Sequence, residues 1–272
     1  MTRPISLAAL TVLELSPPEM VACAAEAGFS HVGLRLIPAT PEEPRYPIVG
    51  DTTMVRETAS RLADTGVRVL DIEIFRLKPD TRVADYEPAL ETGARLGASE
   101  VLVAGNDPDE RRLSERFAAL CDLAAPFGLS PSLEFMPWTD AKDLSQAARI
   151  VGAAHRSNAG LLIDAFHLDR SGSRIEDIAT LPHEWLRFAQ LCDVPTIAPA
   201  TMDDVVAEAR AERRFPGEGG LDLVSLLRAL PPKLPLSIEV PTQTLARTVG
   251  AVARARQALA ATQAVLAAVA EA

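Results

Sequence analysis

The chain has 272 residues, 48% of them apolar and 24% charged, and a formal net charge of −10. A chain of this length and composition buries a sizeable core and is not disordered as a whole. Its acidity excludes a face built to neutralise nucleic-acid phosphates.

The chain alternates from end to end between short apolar runs and helix-like segments. Residues 5–10 read as a strand. Ser16-Pro17-Pro18-Glu19 then reads as a helix start, with a capping Ser and Pro in the first turn, and the helix stops at Gly28. Residues 31–37 (HVGLRLI) predict a second strand, and Asp51 is expected to cap a helix ending near Gly66. Residues 67–75 (VRVLDIEIF) form a third strand pattern, followed by a helix over 85–97. A strand at 100–104 and a long helix over 109–128 come next.

The second half repeats the scheme. Strand five is predicted at 129–135 with a helix over 140–154, and strand six at 159–165 with a short helix over 174–179. Strand seven falls at 185–192, followed by a helical piece around 203–213 and the turn FPGEGG. A helix over 221–230, strand eight at 235–240 and an Ala-rich helix from Leu245 onward complete the pattern.

Eight strand–helix pairs without a composition break predict an α/β fold, a single (β/α)₈ barrel (TIM barrel) over residues 1–272. An open doubly wound sheet would show a Gly-rich phosphate turn after its first strand. Here LTVLELSPPE stands in that place, and neither GxGxxG nor GxxxxGK[ST] occurs. Cys23, Cys121 and Cys192 are widely spaced without a CxxC, which excludes a disulfide framework or zinc knuckle. Two of them fall in helix-like apolar patterns, as small core residues do. The N-terminal MTRPISLAALTVLEL reads as a strand rather than a signal peptide, and no run of about 20 apolar residues is present to span a membrane. A cytoplasmic location is expected.

Barrel active sites lie where strands end, so the polar residues that terminate the apolar runs matter most. Strand five ends in Glu134, strand six in Asp164 and strand eight in Glu239, and strand seven carries Gln190 and Asp193. Four consecutive strands thus end in an oxygen donor. Neighbouring strands lie about 4.8 Å apart, close enough for such tips to converge on one divalent ion. A lone acid at a strand end is more often a helix cap or a solvated loop residue, and Asp193 is read that way. Glu134 and Glu239 are embedded in apolar runs, where a carboxylate needs a cation or a full set of hydrogen bonds. His167, three residues after Asp164, falls at the same strand tip. His31, His155 and His183 have no such neighbours. Arg214, before FPGEG, is a candidate to hold a substrate hydroxyl or carboxylate.

LEFMP, LLIDAFHLDRSG, the DVP after strand seven, RFPGEG and LSIEV together resemble the second half of the xylose-isomerase-like TIM barrels. That group includes ketose 3-epimerases, inosose dehydratases and 3-dehydroshikimate dehydratases. The resemblance implies metal ligands at Glu134, Asp164, Gln190 and Glu239, and substrate contacts at His167 and Arg214. Many members have His where this chain has Gln190; some that resemble 3-dehydroshikimate dehydratases have Gln.

The expected function is a divalent-metal-dependent isomerase or epimerase of a sugar or polyol derivative, working through an enediolate-type intermediate. Glu134 and Glu239 are the expected acid–base pair, with His167 beside them. The alternative is a lyase acting on 3-dehydroshikimate or an inosose. An all-oxygen donor set favours Mn²⁺ or Mg²⁺ over Zn²⁺. The expected partner is a small polyhydroxy carbonyl compound, with no nucleic acid and no membrane, and the sequence is compatible with a homo-oligomer. Two rivals are a metal-assisted hydrolase resembling endonuclease IV and a non-catalytic sugar-binding barrel. Four histidines and a charge of −10 argue against the first, which needs several His ligands and a basic face.

Overall fold

The computed structural model describes residues 3–271. In chain order its elements are β1 (Ile5–Leu7), α1 (Pro17–Ala27), β2 (His31–Arg35), α2 (Thr53–Thr65), β3 (Arg68–Leu77), α3 (Glu87–Arg95), β4 (Glu100–Gly105) and α4 (Glu110–Ala124). The second half contributes β5 (Ser130–Glu134), α5 (Leu144–Ala154), β6 (Gly160–Asp164), α6 (Ala165–Arg170), β7 (Leu186–Leu191), α7 (Met202–Ala211), α8 (Leu223–Ala229), β8 (Leu236–Ile238), α9 (Gln243–Ala246) and α10 (Ala251–Glu271). All strand pairs are parallel, and β1 pairs with both β2 and β8, so the sheet closes on itself as a (β/α)₈ barrel.

The strands are covered on both faces, which is why they read as near-continuous apolar runs. Alternate residues sort into two clusters. Leu133, Leu161, Ile163 and Leu191 pack outward against the helices in the main core. Leu70, Leu102, Leu162 and Phe188 form a smaller cluster that fills the barrel interior. Among the described residues no helix is long and apolar enough to cross a membrane. All three cysteines are buried and free.

Local signals mostly explain the element ends. Ser16 and Glu19 form the capping box that starts α1, and Gly28 ends it at φ 95°. Thr52, not Asp51, caps α2: its hydroxyl accepts from the Val55 amide, while Asp51 pairs with Arg56. The first strand stops at Leu7, because residues 9–12 turn into a 3₁₀ segment. The helix expected over 174–179 is a 3₁₀ turn, Ile175–Thr180, and the α-helix after β6 starts directly at Ala165.

The loop after β7 is held by one buried side chain. Asp193 accepts from the Val194 and Leu221 amides through Oδ1 (2.8 and 3.0 Å) and from the Gly217 amide through Oδ2 (3.0 Å). It is a staple for the PGEGG turn rather than a solvated loop residue. Gly219 is required beside it, since a Cβ there would stand 2.2 Å from Asp193 Oδ1. Asp193→Asn would turn one acceptor into a donor facing the Gly217 amide. The expected loss is about 1–2 kcal/mol of stability, read from urea unfolding. An unchanged midpoint and slope would show that the staple contributes nothing.

Candidate active site

Glu134 closes β5, Asp164 closes β6, Gln190 lies in β7 next to Asp164 in the sheet, and Glu239 follows β8. Their side chains come together at the carboxyl ends of the strands. Glu134, His167, Arg213 and Glu239 line one cavity of about 650 Å³, so the two glutamates face the same space. Trp138 and Met136 from the loop after β5 form part of its apolar wall.

Glu134, Asp164 and His167 form the tightest group, each offering a ligand atom within 4.8 Å of the others. His167 Nε2 lies 3.7 Å from Glu134 Oε1. Asp164 also caps α6, its Oδ1 accepting from the His167 amide at 3.0 Å. Its role as helix cap and its place at the site coexist, since a carboxylate has two oxygens to use. Gln190 Nε2 donates to Glu239 Oε1 at 3.2 Å, which leaves Gln190 Oε1 buried without a partner.

The Arg before PGEG is not the one at the site. Arg214 is exposed and donates to the Glu218 carbonyl. Arg213 is the residue that enters, donating from Nη1 to Asp164 Oδ2 at 2.9 Å and pairing through Nη2 with Glu239 Oε2 at 3.0 Å. The segment is extended and bridges back to Asp193 through Arg214, so adjacent side chains take opposite sides. The bridge sets which arginine faces inward, and sequence spacing does not reveal it. A second missed pair is Arg35 and Glu73, joined at 3.0 Å, with Arg35 also bound to Glu43 at 2.9 Å. Arg35 and Glu73 sit inside apolar strands, the same signal that marked Glu134.

Burial dominates the electrostatics. It drives Glu134 well above the usual carboxylate range, with the negative charges of Glu239 and Asp164 adding to the effect. Glu239 is pushed up to about 7 by burial, against the pull of Arg213. Burial would raise Asp164 too, but the Arg213 guanidinium and the hydrogen bond from the His167 backbone amide outweigh it and hold this carboxyl below its ordinary value. Burial lowers His167 to about 4, with Arg213 acting in the same sense, so the ring is neutral near pH 7.

These residues fit a divalent cation. Three buried carboxylates, a neutral imidazole and an unpartnered amide oxygen face one another with Arg213 as the cation that pairs with Asp164 and Glu239. Such a group is short of positive charge.

Comparison with known proteins gives four results. The family model described as "Xylose isomerase-like TIM barrel" matches residues 21–265. A 3-dehydroshikimate dehydratase of Pseudomonas aeruginosa is 31% identical over 201 residues, 68% of this chain and 31% of that protein. An inosose isomerase of Bacillus velezensis is 27% identical over 158 residues, 54% of this chain and 54% of that protein. The matches thus span about a third and about half of those relatives' lengths. Among solved structures, the IOLI protein with a bound zinc atom superposes with a TM-score of 0.79 at 20% identity, covering 97% of this chain and 98% of that one. At that identity the likeness concerns the fold.

Proposed function

Since the chain belongs to the xylose isomerase-like TIM barrel family, we propose that it is a divalent-metal-dependent isomerase or epimerase of a sugar or polyol derivative. The observation that carries this reading is the pair Glu134 and Glu239, both buried, both held above the usual carboxylate range, on one cavity beside Asp164 and His167.

Glu134, Asp164, Glu239 and the Gln190 amide oxygen would hold the ion, with His167 as a further donor. When bound, the ion would polarise the substrate carbonyl and adjacent hydroxyl and so acidify the neighbouring C–H. One glutamate takes that proton and the other returns one to the enediolate. Glu239, pushed up to about 7, suits such a role, since a group of that kind takes and returns a proton at working pH without a large penalty either way, and burial raises Glu134 in the same direction. Neutral His167 and Arg213 can hold substrate oxygens, and Met136 and Trp138 give the cavity an apolar wall for the substrate's carbon chain. The lyase reading, loss of a β-hydroxyl from the same enediolate, has one specific support: a 3-dehydroshikimate dehydratase is among the relatives, at 31% identity.

The test is incubation of the metal-loaded protein in D₂O with candidate ketoses, inososes and 3-dehydroshikimate, followed by NMR. Deuterium entering next to the carbonyl, with an isomer or epimer as product, is expected. A dehydrated product would move the assignment to the lyase, and no exchange with any of them would end the enzyme reading. The ion expected to restore activity best to metal-free protein is Mn²⁺ or Mg²⁺, because oxygen donors outnumber the single imidazole. Restoration by Zn²⁺ alone would contradict this.

A further inference from the structure

Arg213 is tied down more firmly than a substrate contact requires. Its Nε donates to the Ala209 carbonyl at 2.8 Å, its guanidinium lies 4.8 Å from the centre of the Phe166 ring, and its two terminal nitrogens reach Asp164 and Glu239. Those two carboxylates are among the residues proposed to hold the ion. We infer that Arg213 is a built-in counter-cation for Asp164 and Glu239 and competes with a divalent ion for them, an inference that rests on the metal-dependent reading.

Two observations support competition over simple support. First, the oxygens are already taken. Asp164 accepts from the His167 amide and from Arg213, and Glu239 accepts from Gln190 and pairs with Arg213. An ion entering here must share or displace these bonds. Second, the guanidinium is as buried as the carboxylates. A fixed positive charge at that distance repels an incoming dication with little screening. The same burial explains why the residue is there: without a cation, Asp164 and Glu239 would be unpaired in the interior, which is strongly unfavourable. When the ion takes the two carboxylates, the guanidinium is released to the cavity it already lines, where a substrate oxygen can replace them.

Arg213→Gln removes the charge and keeps a donor, and Arg213→Lys keeps the charge. Mn²⁺ affinity of the three proteins, measured by calorimetry and by the electron paramagnetic resonance of free Mn²⁺, separates the roles. Arg213→Gln is expected to bind Mn²⁺ at least about tenfold more tightly than the unmodified chain, and Arg213→Lys to stay within about threefold of it. Affinity in Arg213→Gln that is equal or weaker would overturn the inference and make Arg213 a positioning residue. If all three proteins bind equally, this inference alone fails. If none binds, the metal-dependent reading fails with it. Should Arg213→Gln not fold without the ion, the unmodified chain still gives an answer through its arginine side-chain ¹⁵N resonances. Saturating Mg²⁺ is expected to free one slowly rotating guanidinium, and an unchanged signal would overturn the competition.

Discussion

Glu239→Gln is expected to lower turnover by about 10³-fold while the protein still takes up Mn²⁺. The variant keeps the shape of the side chain and an oxygen that can coordinate. Its one oxygen can still accept from Gln190 Nε2, which lies 3.2 Å from Glu239 Oε1, while its amide nitrogen replaces the oxygen that pairs with Arg213. It loses the group that is held at about 7 and can exchange a proton with substrate. Gln190→Ala should behave in the opposite way. It removes a neutral donor and one hydrogen bond, so Mn²⁺ binding is expected to weaken by about 10- to 100-fold, and added Mn²⁺ should restore part of the turnover. Titrating both variants with Mn²⁺ while measuring turnover and bound metal makes the comparison. Full rescue of Glu239→Gln by metal would show that Glu239 only ligates. A turnover loss in Gln190→Ala that no amount of Mn²⁺ relieves would show that Gln190 does more than ligate.

The barrel was legible because its strands are covered on both faces and its helices carry end signals. Apolar runs such as LLID and LSIEV, punctuated by Gly28, Gly66 and Gly128 at positive φ, translate directly into β–α repeats. The same burial made Glu134 and Glu239 visible, since a carboxylate inside an apolar run needs a reason. What escaped depends on contacts between distant parts of the chain. The phase of Arg213 against Arg214 is set by the bridge to Asp193, about 20 residues earlier in the chain. Asp193 itself looks like any loop acid until the three amides that converge on it are seen. The start of α6 was missed because AFHLDR continues the apolar run of β6 without a turn residue, and Asp164 serves as both strand end and cap. Arg35 and Glu73 stand 38 residues apart, and only the pairing of β2 with β3 joins them.

Glu100→Gln is expected to stabilise the protein at high pH and leave it unchanged at low pH. Glu100 begins β4 at the end of the barrel opposite the site, 9% exposed, with Oε2 unpartnered. Burial pushes its pKa from 4.5 up to about 7, a rise that Arg187 opposes only in part. The folded chain therefore holds a proton between those values that the unfolded chain has released. Stability falls as pH rises through this window, because folding then favours the protonated form. Below it both states are protonated and the acid carries no penalty. Above about 7 the folded state must either bury a charge or keep a proton that the solvent no longer supplies readily, and the penalty is fully present. Gln fills the same volume and carries no charge at any pH, so the difference between variant and parent isolates this one group. It should grow from near zero at pH 4 to at most about 3 kcal/mol at pH 8. Urea unfolding of both proteins across that range, with a chelator present so that the metal site contributes equally, measures it. A difference that does not change with pH, or one that shrinks as pH rises, would mean that Glu100 is ionised in the folded protein and finds its compensation in Arg187.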